Sequence, residues 1–272
     1  MFQWLQTFMS VYEERNFTHA AEKNFISQPT VSLHIQKLEE TTGSKLFIRN
    51  GRNHIIPTES ADLLYIRAKQ LDSLWETSLN DIQQLQGNTQ VTYKIGASQT
   101  IAVYILPLIL PKLQEQFPNY HFIVAVANST AIFNRVETHE YQVGLVESPM
   151  VAPMITRTIF AYDSLVLAGN MTSDLWLLRE AGSGIRAYND QFFQQENIVP
   201  SQKMEIASNE TILSILKQGT GKTLLSNLST HGLPYQNPPT PIVRPLFQIQ
   251  NNAFPEDALQ IALRELLLTT FS

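Results

Sequence analysis

Residues 17–49 read FTHAAEKNFISQPTVSLHIQKLEETTGSKLFIR, and this stretch decides the architecture. Asn16-Phe17-Thr18 interrupts the preceding pattern, and Thr18 is placed to cap a short helix running to about Phe25. Ala20 and Ala21 lie on its inner side and are small enough to admit a close neighbour. Ser27-Gln28-Pro29 opens a second helix, because serine is a good N-cap and proline is tolerated in a first turn. The inner face of that helix is Val31, Ile35 and Leu38, and Gly43 ends it.

On the N-terminal side, residues 2–15 carry Leu5, Phe8 and Tyr12 at helical steps. On the C-terminal side, Leu46–Arg49 and His54–Ile56 flank Asn50-Gly51-Arg52-Asn53, an Asn-Gly hairpin signal between apolar runs. Three helices and a hairpin within residues 1–58 predict a winged helix-turn-helix domain. Thr58 then starts a helix reaching about Gln86, ahead of Gly87-Asn88. Leu64, Ala68, Leu71, Trp75, Ser78, Ile82 and Leu85 recur along it at steps of four and three, a heptad seam broken by one serine. Such a helix extends roughly 40 Å. It is polar outside the seam, so residues 59–88 read as a linker helix that pairs two chains; packing on its own domain is the alternative.

From Val91 the pattern alternates between strand and helix. Strands are expected at Val91–Ala97, Phe122–Ala127 and Val143–Val146, with helices at Thr100–Phe117 and Ala131–His139. A second run places strands near Asp163–Ala168, Leu175–Leu178, Lys203–Ala207 and Thr223–Ser226, with helices from about Ser183 and from Glu210 to Gln218. Arg244–Gln250 and a closing helix Glu256–Phe271 complete the chain. The prediction is a two-lobed α/β domain over residues 89–272, with lobe 1 at about 90–158 and 251–272 and lobe 2 at about 159–250.

Bulk properties narrow the function. The chain has 272 residues, 43% hydrophobic and 16% charged, enough for a small domain beside a larger one. No cysteine is present, which excludes disulfides and cysteine metal sites and fits the cytosol. The start lacks the pattern of a secretory signal, no stretch has the apolar length of a membrane span, and a cytoplasmic location is expected. Net charge is −5, yet Lys23, Lys37, Lys45, Arg49 and Arg52 cluster where locally only Glu39 and Glu40 oppose them. Affinity for nucleic acid depends on the charges near phosphate, so this balance permits DNA contact.

Phe17-Thr18-His19-Ala20-Ala21-Glu22, Ser27-Gln28-Pro29-Thr30-Val31-Ser32, Leu38-Glu39 and Gly43–Arg49 resemble, in order and spacing, the helix-turn-helix and wing of the LysR-type transcriptional regulators. Leu106-Pro107 through Phe117-Pro118, and Gly144-Leu145-Val146-Glu147, are similar to that family's periplasmic-binding-protein-like effector domain. Arg179–Arg186 resembles the branch of sulfur- and carbon-assimilation regulators. The chain departs from the family at Ala61, where glycine is usual, and at Leu33-His34, which replaces a frequent Arg-Gln pair. The resemblance implies a regulator that works as a homodimer or homotetramer on an interrupted palindrome in double-stranded DNA, responding to a small-molecule inducer and needing no cofactor.

The N-terminal part of the second motif helix enters the major groove. That makes Gln28, Thr30, Ser32, Leu33 and Gln36 the base-facing candidates, with Gln28 able to pair bidentately with adenine and Pro29 or Thr30 to press on a thymine methyl. Thr18, Ser27, Lys37, Arg49 and Arg52 suit phosphate. In the α/β domain, Ser98, Thr100, Ser129, Thr130 and Ser183 stand at strand-to-helix junctions, and Asn209 at a fourth. Helix N-termini present free N–H groups, so their convergence favours a small anionic effector, with Glu147 turned aside or contacting a ligand amine. Simple capping is the plainer reading of each hydroxyl. Gly219-Thr220-Gly221-Lys222-Thr223 lacks the first P-loop glycine and follows a helix, so it reads as a turn. No nucleophile-and-base constellation is present, so an enzyme is not expected. The remaining alternative is a cytoplasmic small-molecule binding protein without sequence-specific DNA binding.

Overall fold

The computed structural model describes residues 1–50, 54–85 and 91–271. The chain divides into two compact units, Met1–Leu85 and Gln86–Ser272. Among the described residues no helix is long and apolar enough to cross a membrane.

The first unit contains α1 (Phe2–Glu14), α2 (Phe17–Lys23), α3 (Gln28–Thr42), the antiparallel pair β1 (Phe47–Asn50) and β2 (His54–Pro57), and α4 (Glu59–Leu85). Its core joins Phe8 and Val11 of α1, Ala20 and Ala21 of α2, Val31, Ile35 and Leu38 of α3, Leu46 and Ile55 of the wing, and Ala61 and Ala68 of α4. The start of α2 differs from the sequence reading. Asn16 has extended backbone (φ −152°, ψ 124°), and its side chain accepts from the amides of Thr18 and His19; Thr18 is already inside the helix. Ser27 caps α3 by accepting from the Thr30 amide, as read, and Gly43 (φ 67°) ends it. Thr58 Oγ1 accepts from the Ala61 amide (3.2 Å) and donates to the Lys45 carbonyl (2.7 Å), tying the start of α4 to the wing. The wing tip at 51–53, with Arg52, lies outside the described residues, as does the side chain of Arg49.

The seam of α4 is not uniform. Leu64 and Ala68 pack into the core of this unit, while Leu71 (46% exposed), Leu74 (49%), Trp75 (54%) and Ile82 (54%) face outward. At its inner end, Glu13 of α1 holds Lys69 of α4 (2.8 Å), Lys23 of α2 (2.9 Å) and the Tyr65 hydroxyl (2.9 Å). Burial alone would raise the Glu13 carboxyl; the bonds from Lys69, Lys23 and Tyr65 outweigh it and bring the pKa to about 2.

The second unit contains β3 (Val91–Ala97), α5 (Gln99–Tyr104), α6 (Leu106–Gln116), β4 (Tyr120–Val126), α7 (Ser129–Glu137), β5 (Val143–Val146), β6 (Ile155–Gly169), β7 (Leu175–Leu178), α8 (Gly184–Gln195), β8 (Gln202–Glu205), α9 (Asn209–Lys217), β9 (Lys222–Ser226), β10 (Tyr235–Gln236), β11 (Ile242–Asn251) and α10 (Ala258–Phe271). The strand order is β4-β3-β5-β11-β6-β9-β7-β8, with β10 on β6. β3, β4 and β5 run parallel in one lobe, and β7, β8 and β9 in the other. The long antiparallel pair β6 and β11 passes through both.

In the first lobe α5, α6 and α10 cover one face and α7 the other; in the second, α8 and α9 take opposite faces. Two elements depart from the sequence reading. The helix expected at Thr100–Phe117 is two helices, because Pro107 has no amide to continue the ladder and Ile105 ahead of it leaves regular helical geometry (φ −114°). β6 begins at Ile155 rather than near Asp163, its first half held by pairing along β11. Gly219 and Gly221, at φ 77° and 75°, form the turn between α9 and β9.

His139 lies against Phe254, with centroids 3.7 Å apart and 18° between the planes. Burial pushes its pKa down to about 4. The unfolded chain, with a histidine near 6.5, takes up a proton that the folded chain refuses. This contribution to stability is therefore present above about pH 6.5 and is lost as pH falls towards about 4. Thermal melts from pH 7 to 4.5 should show a steeper loss for the wild type than for His139→Asn, whose side chain does not titrate and tolerates the local φ of 59°. Parallel curves would assign the acid sensitivity elsewhere.

Candidate DNA-binding and effector sites

Capping and core packing fix which side of α3 faces solvent. Val31, Ile35 and Leu38 are buried, while Gln28, Pro29, Leu33, Gln36 and Lys37 are exposed and Thr30 and Ser32 half-buried. Gln28 Nε2 donates to Ser32 Oγ (3.0 Å), Ser27 Oγ and Thr30 Oγ1 are 2.8 Å apart, and Gln36 Nε2 donates to Glu40 (2.9 Å). These contacts are local and exposed, so they can be exchanged for contacts to bases. His34 faces the other way, with Nδ1 2.9 Å from Thr7 Oγ1 of α1. Thr18 is exposed on α2. The cations are less free than the sequence suggests. Lys23 pairs with Glu13 (2.9 Å) and Glu14 (3.1 Å), Lys37 with Glu40 (3.2 Å) and Lys45 with Glu39 (2.6 Å). The α1 carboxylates were missing from the local charge count because they are neighbours in space only.

In the α/β unit the carboxyl ends of the parallel strands meet. β3 leads to Ser98 and Thr100, β4 to Ser129 and Thr130, and β5 to Glu147; β7 leads to Arg179, Glu180 and Ser183, β8 to Asn209, and β9 to Ser226. Ligands in open α/β sheets bind at such ends. The six effector candidates from the sequence all stand here. Their capping roles are resolved by their neighbours. Asn128 caps α7, accepting from the Ala131 amide (3.0 Å), and Ser208 caps α9, accepting from the Thr211 amide (3.2 Å). Ser129 and Asn209 are thereby released. Ser98 and Ser183 occupy N-cap positions but make no side-chain cap bond.

The two lobes touch through these residues. Gln99 Oε1 accepts from Arg179 Nη1 (2.9 Å) and the Asn209 amide (2.7 Å), and its Nε2 donates to the Ala207 carbonyl (3.1 Å). Asn128 Nδ2 donates to Glu180 (3.3 Å), and the Thr130 amide to the Gly182 carbonyl (3.1 Å). A cavity of about 20 Å³ lies beside Thr100, Arg179, Asn209 and Ser226.

Sequence reasoning missed the charged groups. Arg244 on β11 is wholly buried; its Nε and Nη2 both lie 2.8 Å from Asp163 Oδ2 on β6, and Ser226 Oγ donates to Asp163 Oδ1 (2.9 Å). Glu147 turns towards the same guanidinium, Oε1 to Nη1 3.3 Å, without hydrogen-bond geometry. Arg179 makes two parallel bonds to Glu180 (2.8 and 2.9 Å). The available signal was a charged residue inside an apolar run, Val243-Arg244-Pro245-Leu246 against Tyr162-Asp163-Ser164-Leu165; only the strand register places Arg244 opposite Asp163. Ser98 Oγ, Ser129 Oγ and Glu147 Oε2 are buried and have no hydrogen-bond partner among the described residues. No cluster of three or more His, Cys, Asp or Glu suited to a metal occurs among the described residues.

Comparison with known proteins agrees with this two-part layout. The description "Bacterial regulatory helix-turn-helix protein, lysR family" matches residues 2–62, and "LysR substrate binding domain" matches residues 86–249. The HTH-type transcriptional regulator CysL of Bacillus subtilis (strain 168) is 33% identical over 237 residues, covering 82% of this chain and 79% of that protein. The RuBisCO operon transcriptional regulator of Acidithiobacillus ferrooxidans is 24% identical over 237 residues, covering 82% and 76%. Among solved structures, CbnR, a LysR family transcriptional regulator, has a TM-score of 0.68 at 15% identity over 100% of this chain and 99% of its own. Full-length CbnR in complex with its target DNA has a TM-score of 0.66 at 17% identity, covering 99% of each chain. With the capped α2–α3 motif, the wing and the two-lobed sheet already in place, these matches lead to one conclusion: the chain belongs to the LysR family of bacterial regulatory helix-turn-helix proteins.

Proposed function

We propose that this chain is a cytoplasmic, DNA-binding transcriptional regulator that reads its operator through α3 and the wing, pairs through the outer stripe of α4, and is switched by a small molecule held between the lobes of its α/β unit. The observation that carries the DNA-reading part is the split of α3 into a buried apolar face and an exposed polar one, starting at a capped N-terminus. Gln28, Pro29, Thr30, Ser32, Leu33 and Gln36 face bases; Thr18, Ser27, Lys37, Arg49 and Arg52 contact phosphate. The effector touches Ser98, Thr100, Ser129, Thr130, Ser183 and Asn209. A binding protein indifferent to DNA sequence would have no role for the exposed face of α3. The resemblance of Arg179–Arg186 to assimilation regulators, and a relative named for the RuBisCO operon, support targets among assimilation genes.

Selection from a random duplex library, followed by anisotropy at fixed salt, tests the DNA-reading part. Enrichment of an interrupted palindrome is expected. Gln28→Ala should weaken that operator by about 1–3 kcal/mol, roughly 5- to 150-fold, with little change on random duplex. Equal loss on both duplexes would remove Gln28 from base reading.

A further inference from the structure

The charges of the cleft do not suit a plain anion. Both guanidiniums of the network already hold carboxylates in hydrogen-bond geometry, Arg244 on Asp163 and Arg179 on Glu180. Glu147 is a third carboxylate on these two guanidiniums, sharing Arg244 with Asp163. It is buried and its Oε1 lies 3.3 Å from Arg244 Nη1 as an ion pair without a hydrogen bond, so that Nη1 and Glu147 Oε2 both lack a hydrogen-bond partner among the described residues. Arg157 does not supply one: its Nη1 donates to the carbonyls of Pro149 and Met150, and its guanidinium lies over the ring of Phe247.

The two other unpartnered buried oxygens on this side belong to neighbouring strand ends. Ser98 follows β3, and its amide bonds to the carbonyl of Leu145, two residues before Glu147. Ser129 opens α7, and its Oγ converges with Glu147 on one glycine: a Cβ on Gly184 would lie 3.1 Å from Ser129 Oγ and 3.0 Å from Glu147 Cγ. One carboxylate oxygen therefore awaits a donor, and two serine hydroxyls, able to donate or accept, stand unpartnered at the neighbouring strand ends; a primary ammonium carries donors enough for all three. Beside them α8 begins, with its N-cap serine making no side-chain bond, and a helix start of this length favours an acidic group.

We infer that the effector is a small zwitterion of the amino-acid class, its ammonium held by Glu147, Ser98 and Ser129 and its acidic group at the start of α8. This rests on the cleft being the effector site, and it restricts the anion expected from the sequence to one that also carries a protonated nitrogen. The full-length protein is titrated calorimetrically, and followed by thermal shift, with a panel of α-amino acids, each beside the α-hydroxy acid of the same side chain. At least one amino acid should bind ten-fold or more tightly than its hydroxy twin. That preference should disappear in Glu147→Gln and shrink in Ser129→Ala, a smaller change that leaves the ionic network whole. Hydroxy acids binding as well as amino acids, or a preference that survives Glu147→Gln, would overturn the inference while leaving the cleft as the effector site. If neither series binds the wild type, the inference falls and the cleft reading is left to other classes of small anion.

Discussion

Replacing Arg244 with methionine should lower the melting temperature of the protein by on the order of 10 °C. Arg244 is wholly buried, and so are the two carboxylates it faces, Asp163 and Glu147. Removing the cation leaves two buried carboxylates without their counter-charge. Breaking one side of a buried ionic group costs about 3–5 kcal/mol, and each kcal/mol shifts a domain of this size by about 2–4 °C. The cause can be separated from simple loss of packing, because methionine keeps most of the arginine stem's volume. Adding Asp163→Leu and Glu147→Met should recover most of the loss, since replacing an entire buried ionic group by apolar residues is often close to neutral. Melts followed by circular dichroism on the single and triple variants would decide it. A single variant melting within about 2 °C of the wild type would mean that the guanidinium is not the counter-charge for Asp163 and Glu147.

The second large effect concerns α4. Leu71→Glu together with Trp75→Glu should leave the oligomer proposed above as a monomer and weaken operator binding by about 100-fold or more. Both side chains are about half exposed in the single chain, at 46% and 54%, so the substitutions leave the core of the helix-turn-helix unit unaltered. Burying such side chains against a partner contributes about 1.5–3 kcal/mol each, and a charge in their place costs more than that gain. Losing the second half-site contact removes the gain of bivalent binding, typically 10²–10⁴-fold. Light scattering after size exclusion gives the mass, and anisotropy on the selected operator gives the affinity. The far-ultraviolet spectrum should stay unchanged, because Leu64 and Ala68 keep the first half of the helix docked. A variant that remains oligomeric with full affinity would move the pairing surface off this stripe.

Much of the first unit was legible in the sequence because its determinants are local. Ser27, Pro29 and Gly43 bound α3, and the spacing of Val31, Ile35 and Leu38 gave its inner face. The strands Val91–Ala97, Val143–Val146 and Leu175–Leu178 were read to the residue, since short apolar runs between turn signals have clear ends. Where two good capping residues stood close together, local pattern favoured Thr18, the wrong one. Asn16 caps α2 and Thr18 does not, because it is Asn16 whose backbone is extended. The candidate site was half legible. Hydroxyls at strand-to-helix junctions announced themselves by position, while Arg244 and Asp163 stand 81 positions apart, mid-strand, and meet only through the β6–β11 register. Lys23 likewise gains Glu13 and Glu14 only when α1 and α2 pack together.

Those lysine pairs bear on how the regulator finds its target along a chromosome. Each described lysine of the reading unit's basic stretch already holds a carboxylate, so docking on a phosphate exchanges one ionic contact for another and displaces fewer condensed counterions than the cation count implies. Adhesion to bulk duplex should therefore fall less steeply with salt than three unpaired lysines would give. Discrimination then rests on the few side chains at the start of α3 proposed to meet base edges.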